Sequence, residues 1–180
     1  GDHRALHSCP TRRSPDLSAL IVLFDAPERR ALLRDPAGWI ASGLGSGLSP
    51  VAPGTVGSAA ALLPWLALRE LPWPLVLALI AAVFVLGVRV CDRVAARLGS
   101  ADPGCIVIDE FVGQWLALLP LLLWPRPSAV LWTGVGFALF RAFDVLKPWP
   151  VSWADRSVKG GVGVMLDDLL AGALAALLLA

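Results

Sequence analysis

Five apolar segments that alternate with polar stretches constrain the fold of this chain more than any other feature. They cover residues 56–68, 73–88, 111–124, 129–140 and 169–180, and all are rich in Ala and Leu. Ala and Leu are strong helix formers, so each segment is predicted to be helical. Hydrophobic residues make up 57% of the chain and charged residues only 16%, which leaves little polar surface for a soluble domain. The sequence therefore predicts an all-α fold, a compact bundle of about five apolar helices in the membrane.

The segments are short for membrane spans. Each has 12–16 residues, whereas a helix needs about 20 residues to cross the hydrocarbon core. Flanking residues must therefore extend the helices, or some helices are tilted or partly buried. A water-soluble helical bundle with a very apolar core is the alternative.

The first 35 residues differ from the rest in composition. They hold six arginines and five acidic residues, and their apolar stretch is too short to span a bilayer. We expect residues 1–35 to form a mobile Arg/Ser/Pro-rich leader and residues 36–180 to form the helical membrane domain. The net charge of only +1 argues against a nucleic-acid partner.

The connections between the segments are of two kinds. Residues 69–72 and 125–128 are tight turns, whereas residues 42–57, 89–110 and 141–168 are long and polar. If successive helices run antiparallel, the three long loops lie on one side of the bundle. The long loops carry seven Lys or Arg residues against two in the turns. The positive-inside rule therefore places the long loops on the cytoplasmic face.

The first long loop has the composition of a phosphate-binding turn. It contains five glycines and no charge between residues 43 and 58. Glycines such as Gly54 let backbone N–H groups approach an oxyanion. Thr55 and Ser58 offer hydroxyl donors where an apolar helix begins, and a helix N-terminus favours phosphate. The alternative is a flexible re-entrant turn in which Ser58 caps the helix.

Five carboxylates are predicted at helix ends on this same side. Asp109 and Glu110 precede one apolar segment, Asp167 and Asp168 precede another, and Asp144 lies near the end of a third. Carboxylates beside hydrocarbon are costly and usually functional, although acidic residues also cap helices and complement their dipoles. Five of them would repel one another without a cation. Both histidines lie in the leader and no C-x-x-C spacing occurs, so a hard cation with oxygen ligands, such as Mg²⁺, is predicted.

Two basic residues accompany the third acidic position. Arg141, Asp144 and Lys147 are spaced i, i+3 and i+6 before Pro148. Arg141 and Lys147 would bind a phosphate group, or the three residues would form an ion-pair ladder at the membrane interface. Together with the acidic residues, they predict metal-assisted chemistry on a phosphorylated, membrane-borne substrate.

Four motifs resemble those of one enzyme family. They are G-S-G-L-S-P-V-A-P-G-T-V-G-S (45–58), I-V-I-D-E-F-V-G-Q-W (106–115), F-R-A-F-D-V-L-K-P-W-P (140–150) and W-A-D-R-S-V-K-G-G-V-G-V-M-L-D-D-L-L-A-G (153–172). In this order they resemble the phosphatidylglycerophosphatase A family of bacterial membrane enzymes. The resemblance runs from about residue 35 to the last residue.

The resemblance implies a function. Such enzymes hydrolyse the terminal phosphomonoester of the lipid phosphatidylglycerophosphate to phosphatidylglycerol and phosphate. They depend on Mg²⁺ and act at the cytoplasmic face of the inner membrane. The implied catalytic residues are Asp109, Glu110, Asp144, Asp167 and Asp168; the implied metal ligands are Asp109, Glu110, Asp144 and Asp167; the implied phosphate-binding residues are Gly54, Thr55, Ser58, Arg141 and Lys147.

Several alternatives stay open at the level of sequence. The nucleophile is either a water molecule or a carboxylate. The chain could instead be a phosphatase for another lipid phosphate, such as phosphatidic acid, although the usual motifs of that large family are missing. A non-enzymatic membrane protein that binds or transports a divalent cation is a further alternative. The number of metal ions and the oligomeric state are not predicted.

Overall fold

The part of the chain that the computed structural model describes is helical, without a β-strand. It comprises residues 32, 34–98, 104–124 and 126–180, and it holds eight α-helices and a 3₁₀ turn at Ser46–Leu48. The all-α prediction is therefore confirmed. The helices are α1 (Pro36–Ala41), α2 (Pro53–Leu68), α3 (Trp73–Leu98), α4 (Ile108–Leu118), α5 (Pro120–Leu123), α6 (Ala129–Leu146), α7 (Val151–Ser157) and α8 (Gly160–Leu179).

Three of these helices are long and apolar enough to cross a membrane, namely α3, α6 and α8. Helix α2 is apolar but has only 16 residues. The third predicted segment is divided into α4 and α5 at Pro120, because proline lacks the N–H that would continue the helix. The five predicted segments thus correspond to α2, α3, the pair α4 and α5, α6 and α8. The short helices α1 and α7 were not predicted.

Much of the predicted long loops is helical. Helix α3 continues to Leu98, ten residues beyond the predicted end of its apolar segment. The reason is an amphipathic continuation in which Val90, Cys91 and Val94 are buried at helical spacing while charged residues face outward. Helix α6 likewise runs to Leu146, and α8 begins at Gly160.

Helix α4 lies at the centre of the bundle. Nine of its 11 residues are buried, and it packs against α2, α3, α6 and α8. Its contact with α8 is a backbone contact: a Cβ added to Gly172 would lie 2.3 Å from the carbonyl oxygen of Gly113. This close approach holds the middle of α4 against the second half of α8.

The bundle has two chemically different ends. At one end the starts of α2 and α4 meet the end of α6 through the Ser58–Glu110 and Arg141–Glu110 hydrogen bonds. The start of α8 meets the end of α3 at the same end, through a hydrogen bond from the backbone N–H of Gly161 to Asp92. At the other end Arg126 donates to the carbonyl oxygens of Leu179 and Ala180 and lies 4.8 Å from the centroid of the Trp132 ring. The predicted motif regions are therefore brought to one end.

The predicted mobile leader lies outside the described residues, except for residues 32, 34 and 35. Leu32 is buried in the hydrophobic core. Asp35 caps α1 by accepting a hydrogen bond from the backbone N–H of Ala37 and forms ion pairs with Arg93 and Arg97 at the end of α3. The last residues of the expected leader are thus packed against the helical domain.

Candidate active site

Three carboxylates from three helices meet at the motif end of the bundle. Glu110 of α4, Asp144 of α6 and Asp168 of α8 each offer an oxygen atom, and these atoms lie within 4.8 Å of one another. Glu110 and Asp168 are buried, and Asp144 is half-buried. We call these three residues the acidic cluster. Their chemistry is that of an oxygen-ligand site for a hard divalent cation.

One guanidinium group partly neutralises the acidic cluster. Arg141 Nη1 lies 2.6 Å from each Glu110 carboxylate oxygen and 2.9 Å from Asp144 Oδ2. Within the described part of the chain, the Asp168 carboxylate accepts no hydrogen bond and forms no ion pair. Three carboxylates and one guanidinium leave a formal charge of −2, which one divalent cation would balance.

The glycine-rich loop packs against Glu110. Ser58 Oγ lies 2.7 Å from Glu110 Oε2 and 2.9 Å from the Gly54 carbonyl oxygen. A Cβ at Gly54 would lie 2.2 Å from Glu110 Oε1, so a side chain at this position would displace the carboxylate from its observed place. Thr55 is exposed, and no described contact joins it to the acidic cluster. Two of the three predicted loop residues therefore meet the cluster.

An open cleft of about 280 Å³ adjoins the acidic cluster. Its charged lining residues come from α4, α7 and α8, from the residue that follows α6 and from the connection between α7 and α8. Glycines and valines form the remaining wall. The charged residues are Asp109, Lys147, Asp155, Lys159 and Asp167, and the remainder are Val158, Gly160, Gly163 and Val164.

The two lysines of the cleft differ in their partners. Lys147 Nζ lies 2.8 Å from Asp167 Oδ2 and also pairs with Asp155. Burial lowers the pKa of Lys147, but its hydrogen bonds and charge interactions with these two carboxylates outweigh burial and raise the pKa above its ordinary value. Lys159 is exposed and has no ion pair among the described residues. Of the two cations among the described residues that line the cleft, Lys159 is thus the one that an incoming anion can reach without displacing a carboxylate.

Each pair of adjacent acidic residues is divided between the two regions. Asp109 and Asp167 line the cleft, whereas Glu110 and Asp168, one residue later, belong to the acidic cluster. Consecutive residues on a helix diverge by about 100°, which explains the division. The predicted metal ligands Glu110 and Asp144 are brought together with Asp168, while Asp109 and Asp167 lie beside that group.

The predicted row of Arg141, Asp144 and Lys147 is observed only for its first two members, which form an i, i+3 ion pair. Helix α6 ends at Leu146, and Lys147 takes a left-handed conformation with φ 43°. This conformation directs the chain away from the helix axis, so Lys147 reaches the cleft and not the acidic cluster.

Three residues of this region were not predicted from the sequence. Asp155 and Lys159 line the cleft, and both lie within the fourth motif, which is the signal that could have indicated them. Asp92 accepts a hydrogen bond of 2.6 Å from the backbone N–H of Gly161 and so holds the start of α8. Nothing local in the sequence indicates a contact between residues 69 positions apart.

Comparison with known proteins gives consistent matches. The family model described as Phosphatidylglycerophosphatase A matches residues 39–180. A phosphatidylglycerophosphatase A of Escherichia coli is 42% identical over 154 residues, which are 84% of this chain and 86% of the relative. One of Haemophilus influenzae is 41% identical over 148 residues, 81% and 87% of the two chains. A Bacteroides thetaiotaomicron protein, provisionally named a phosphatidylinositol-3-phosphatase, is 42% identical over 147 residues, 78% and 89% of the two chains. No solved structure gives a significant match.

Proposed function

The chain belongs to the phosphatidylglycerophosphatase A family, and on this basis we propose how its motif end hydrolyses phosphatidylglycerophosphate. The protein is an integral membrane phosphatase of phospholipid biosynthesis. It removes the terminal phosphate of phosphatidylglycerophosphate and leaves phosphatidylglycerol. The observation that carries the mechanism is the meeting of three carboxylates from three helices beside a cleft with an accessible lysine.

The cofactor is proposed to be Mg²⁺, held by Glu110, Asp144 and Asp168. Oxygen atoms on opposite sides of Mg²⁺ are separated by about 4.2 Å, twice the Mg–O distance of about 2.1 Å. The oxygen atoms of the acidic cluster lie within 4.8 Å of one another, so small side-chain adjustments suffice. The formal charge of −2 on the cluster with Arg141 supports the same conclusion. Asp109 and Asp167 remain predicted ligands on the cleft side.

The substrate phosphate is proposed to occupy the cleft next to the acidic cluster. A divalent cation in the cluster supplies positive charge that stabilises the phosphoryl group in the transition state. Lys159 and Lys147 contact the non-bridging oxygens of the phosphate. Arg141, with Ser58 and Gly54, holds Glu110 in place, and Thr55 remains a predicted phosphate contact at the start of α2.

The group that attacks the phosphorus is proposed to lie in the cleft, next to the first aspartate of each adjacent acidic pair. Asp109 and Asp167 both line the cleft. One of them either removes a proton from an attacking water molecule or itself attacks the phosphorus. In both routes the bond between phosphorus and the lipid oxygen breaks, and the lipid oxygen takes up a proton. In the second route, water then hydrolyses the aspartyl phosphate and releases inorganic phosphate. Acid quenching during turnover separates the two routes, because only direct attack leaves a phosphorylated aspartate on the protein.

The membrane and the face are also proposals. The membrane is the bacterial inner membrane, and the motif end faces the cytoplasm because most Lys and Arg of the polar connections lie at this end. Phosphatidylglycerophosphate is therefore bound from the cytoplasmic leaflet. No nucleic-acid partner is proposed.

A phosphate-release assay on a panel of lipids tests this function. The panel contains phosphatidylglycerophosphate, phosphatidic acid and phosphatidylinositol 3-phosphate, the last because of the name of the Bacteroides relative. We expect Mg²⁺-dependent release from phosphatidylglycerophosphate and almost none after Asp168→Asn. Asp35→Asn is the matched control, because Asp35 lies at the same end of the bundle but pairs with Arg93 and Arg97. Full activity of Asp168→Asn, or activity that survives chelation of divalent cations, would refute the proposed metal site.

A further inference from the structure

Gln114 is an unusual residue for the centre of this bundle. Its side chain is completely buried, and neither Nε2 nor Oε1 has a hydrogen-bond partner among the described residues. Buried polar groups are almost always hydrogen-bonded, because an unpaired one loses its interactions with water and gains nothing in return. The neighbouring Trp115 follows this rule and donates a 2.8 Å hydrogen bond to the Ala61 carbonyl oxygen. Gln114 therefore needs an explanation.

The position of Gln114 on α4 provides one. It lies four residues after Glu110, so the two side chains share a face of the helix. Helical side chains incline towards the helix N-terminus, which places the Gln114 carboxamide on the side of the turn that carries Glu110. The unpaired amide thus lies beneath the acidic cluster and one helical turn deeper in the bundle.

We propose that Gln114 Oε1 is a fourth protein ligand of the divalent cation held by Glu110, Asp144 and Asp168. This inference rests on the proposed function, since it requires a cation in the acidic cluster. A carboxamide oxygen adds a ligand without adding charge, and the cluster with Arg141 already has the formal charge that one divalent cation balances. The cation is the partner that Oε1 lacks among the described residues.

Metal binding to the purified full-length chain in detergent, without substrate, tests the inference. The probe is Mn²⁺, followed by electron paramagnetic resonance, and the variant is Gln114→Met, which keeps the length of the side chain and removes the oxygen. We expect Mn²⁺ affinity to fall about 10- to 100-fold. Without metal, the unfolding temperature should equal or exceed that of the wild type, because an unpaired amide has been removed from the core.

Two further variants separate binding from packing. Val112 is fully buried on the same helix and points about 200° away from Gln114. Val112→Ala should lower the unfolding temperature without changing Mn²⁺ affinity. Gln114→Glu keeps an oxygen at the same position and should retain Mn²⁺ binding.

The outcomes distinguish this inference from the proposed function. If Gln114→Met binds Mn²⁺ as tightly as the wild type does, the ligand assignment to Gln114 is wrong, and the acidic cluster stands. If the wild-type chain itself binds no Mn²⁺, the metal site of the proposed function fails, and the inference fails with it.

Discussion

The contact between α4 and α8 makes a quantitative prediction about activity. A Cβ at Gly172 would lie 2.3 Å from the Gly113 carbonyl oxygen and 3.0 Å from its carbonyl carbon and Cα, and all three are backbone atoms. No side chain can rotate away to make room. Ordinary contact begins at 3.4 Å, so going from 2.3 to 3.4 Å requires the two helices to separate locally by about 1.1 Å.

That separation should reach the acidic cluster. Gly172 lies one helical turn after Asp168 on the same face of α8, so moving α8 away from α4 moves the Asp168 carboxylate away from Glu110. Misplacement of a reacting group by about 1 Å can reduce turnover about 100-fold. Overpacking of a core typically costs about 1–3 kcal/mol of the free energy of unfolding. We therefore expect Gly172→Ala to lose about 100-fold in kcat and to unfold at a lower temperature.

Gly134→Ala is the matched control for this substitution. Gly134 is also a helical glycine, and a Cβ there meets nothing within 4 Å. Alanine should stabilise α6 there by up to about 1 kcal/mol and leave turnover unchanged. The assay is phosphate release from phosphatidylglycerophosphate in mixed micelles, with thermal unfolding measured on the same samples. A Gly172→Ala variant with the kcat of the wild type would show that this contact does not position Asp168.

Two other substitutions address the cleft and the far end of the bundle. Lys159→Ala should raise KM about 10- to 150-fold, because a hydrogen bond to a charged group contributes about 1.5–3 kcal/mol. Arg156 is also exposed but lies outside the cleft lining, so Arg156→Ala should leave KM unchanged. Equal KM values for the two variants would remove Lys159 from phosphate binding. Arg126→Ala should lower the free energy of unfolding by about 1–3 kcal/mol, since it deletes the hydrogen bonds to Leu179 and Ala180 and the contact with Trp132. Its kcat should match that of the wild type, and loss of kcat in folded protein would contradict the separation of the two ends.

The fold class and the meeting of the motifs could be predicted from the sequence, because both depend on coarse patterns. Ala/Leu-rich segments predict helices whatever their packing. Alternation of short and long connections brings every second helix end to the same side. This reasoning predicted that five carboxylates share one side of the bundle. Three of them, Glu110, Asp144 and Asp168, lie within 4.8 Å of one another although they are separated by 34 and 24 positions in the chain.

The finer arrangement could not be predicted, because it depends on helix phase and on tertiary contacts. Which of Asp109 and Glu110 faces the interior depends on the rotation of α4, and packing against α2 and α8 sets that rotation. Lys147 does not continue the row of Arg141 and Asp144, because Lys147 itself takes a left-handed backbone conformation. A glycine or asparagine usually occupies such a position at the end of a helix, so the sequence does not indicate it here. Gln114 is buried because α4 is surrounded by other helices on nearly all sides. The sequence shows only a short apolar segment at this position, and such a segment does not indicate burial on all sides.

The division of the acidic pairs has a consequence for the tolerance of the chain to changes in length. In the first turn of α4 and in the third turn of α8, one peptide unit separates the residue beside the cleft from the residue in the acidic cluster. Covalent geometry fixes this spacing at about 3.8 Å between consecutive Cα atoms, independently of any loop conformation. Inserting or deleting one residue next to either pair would rotate the pair by about 100° and exchange the surroundings of its two carboxylates. The turns at the opposite end of the bundle, residues 69–72 and 125–128, contain no acidic pair whose orientation an added residue would change. Added residues can therefore be accommodated there.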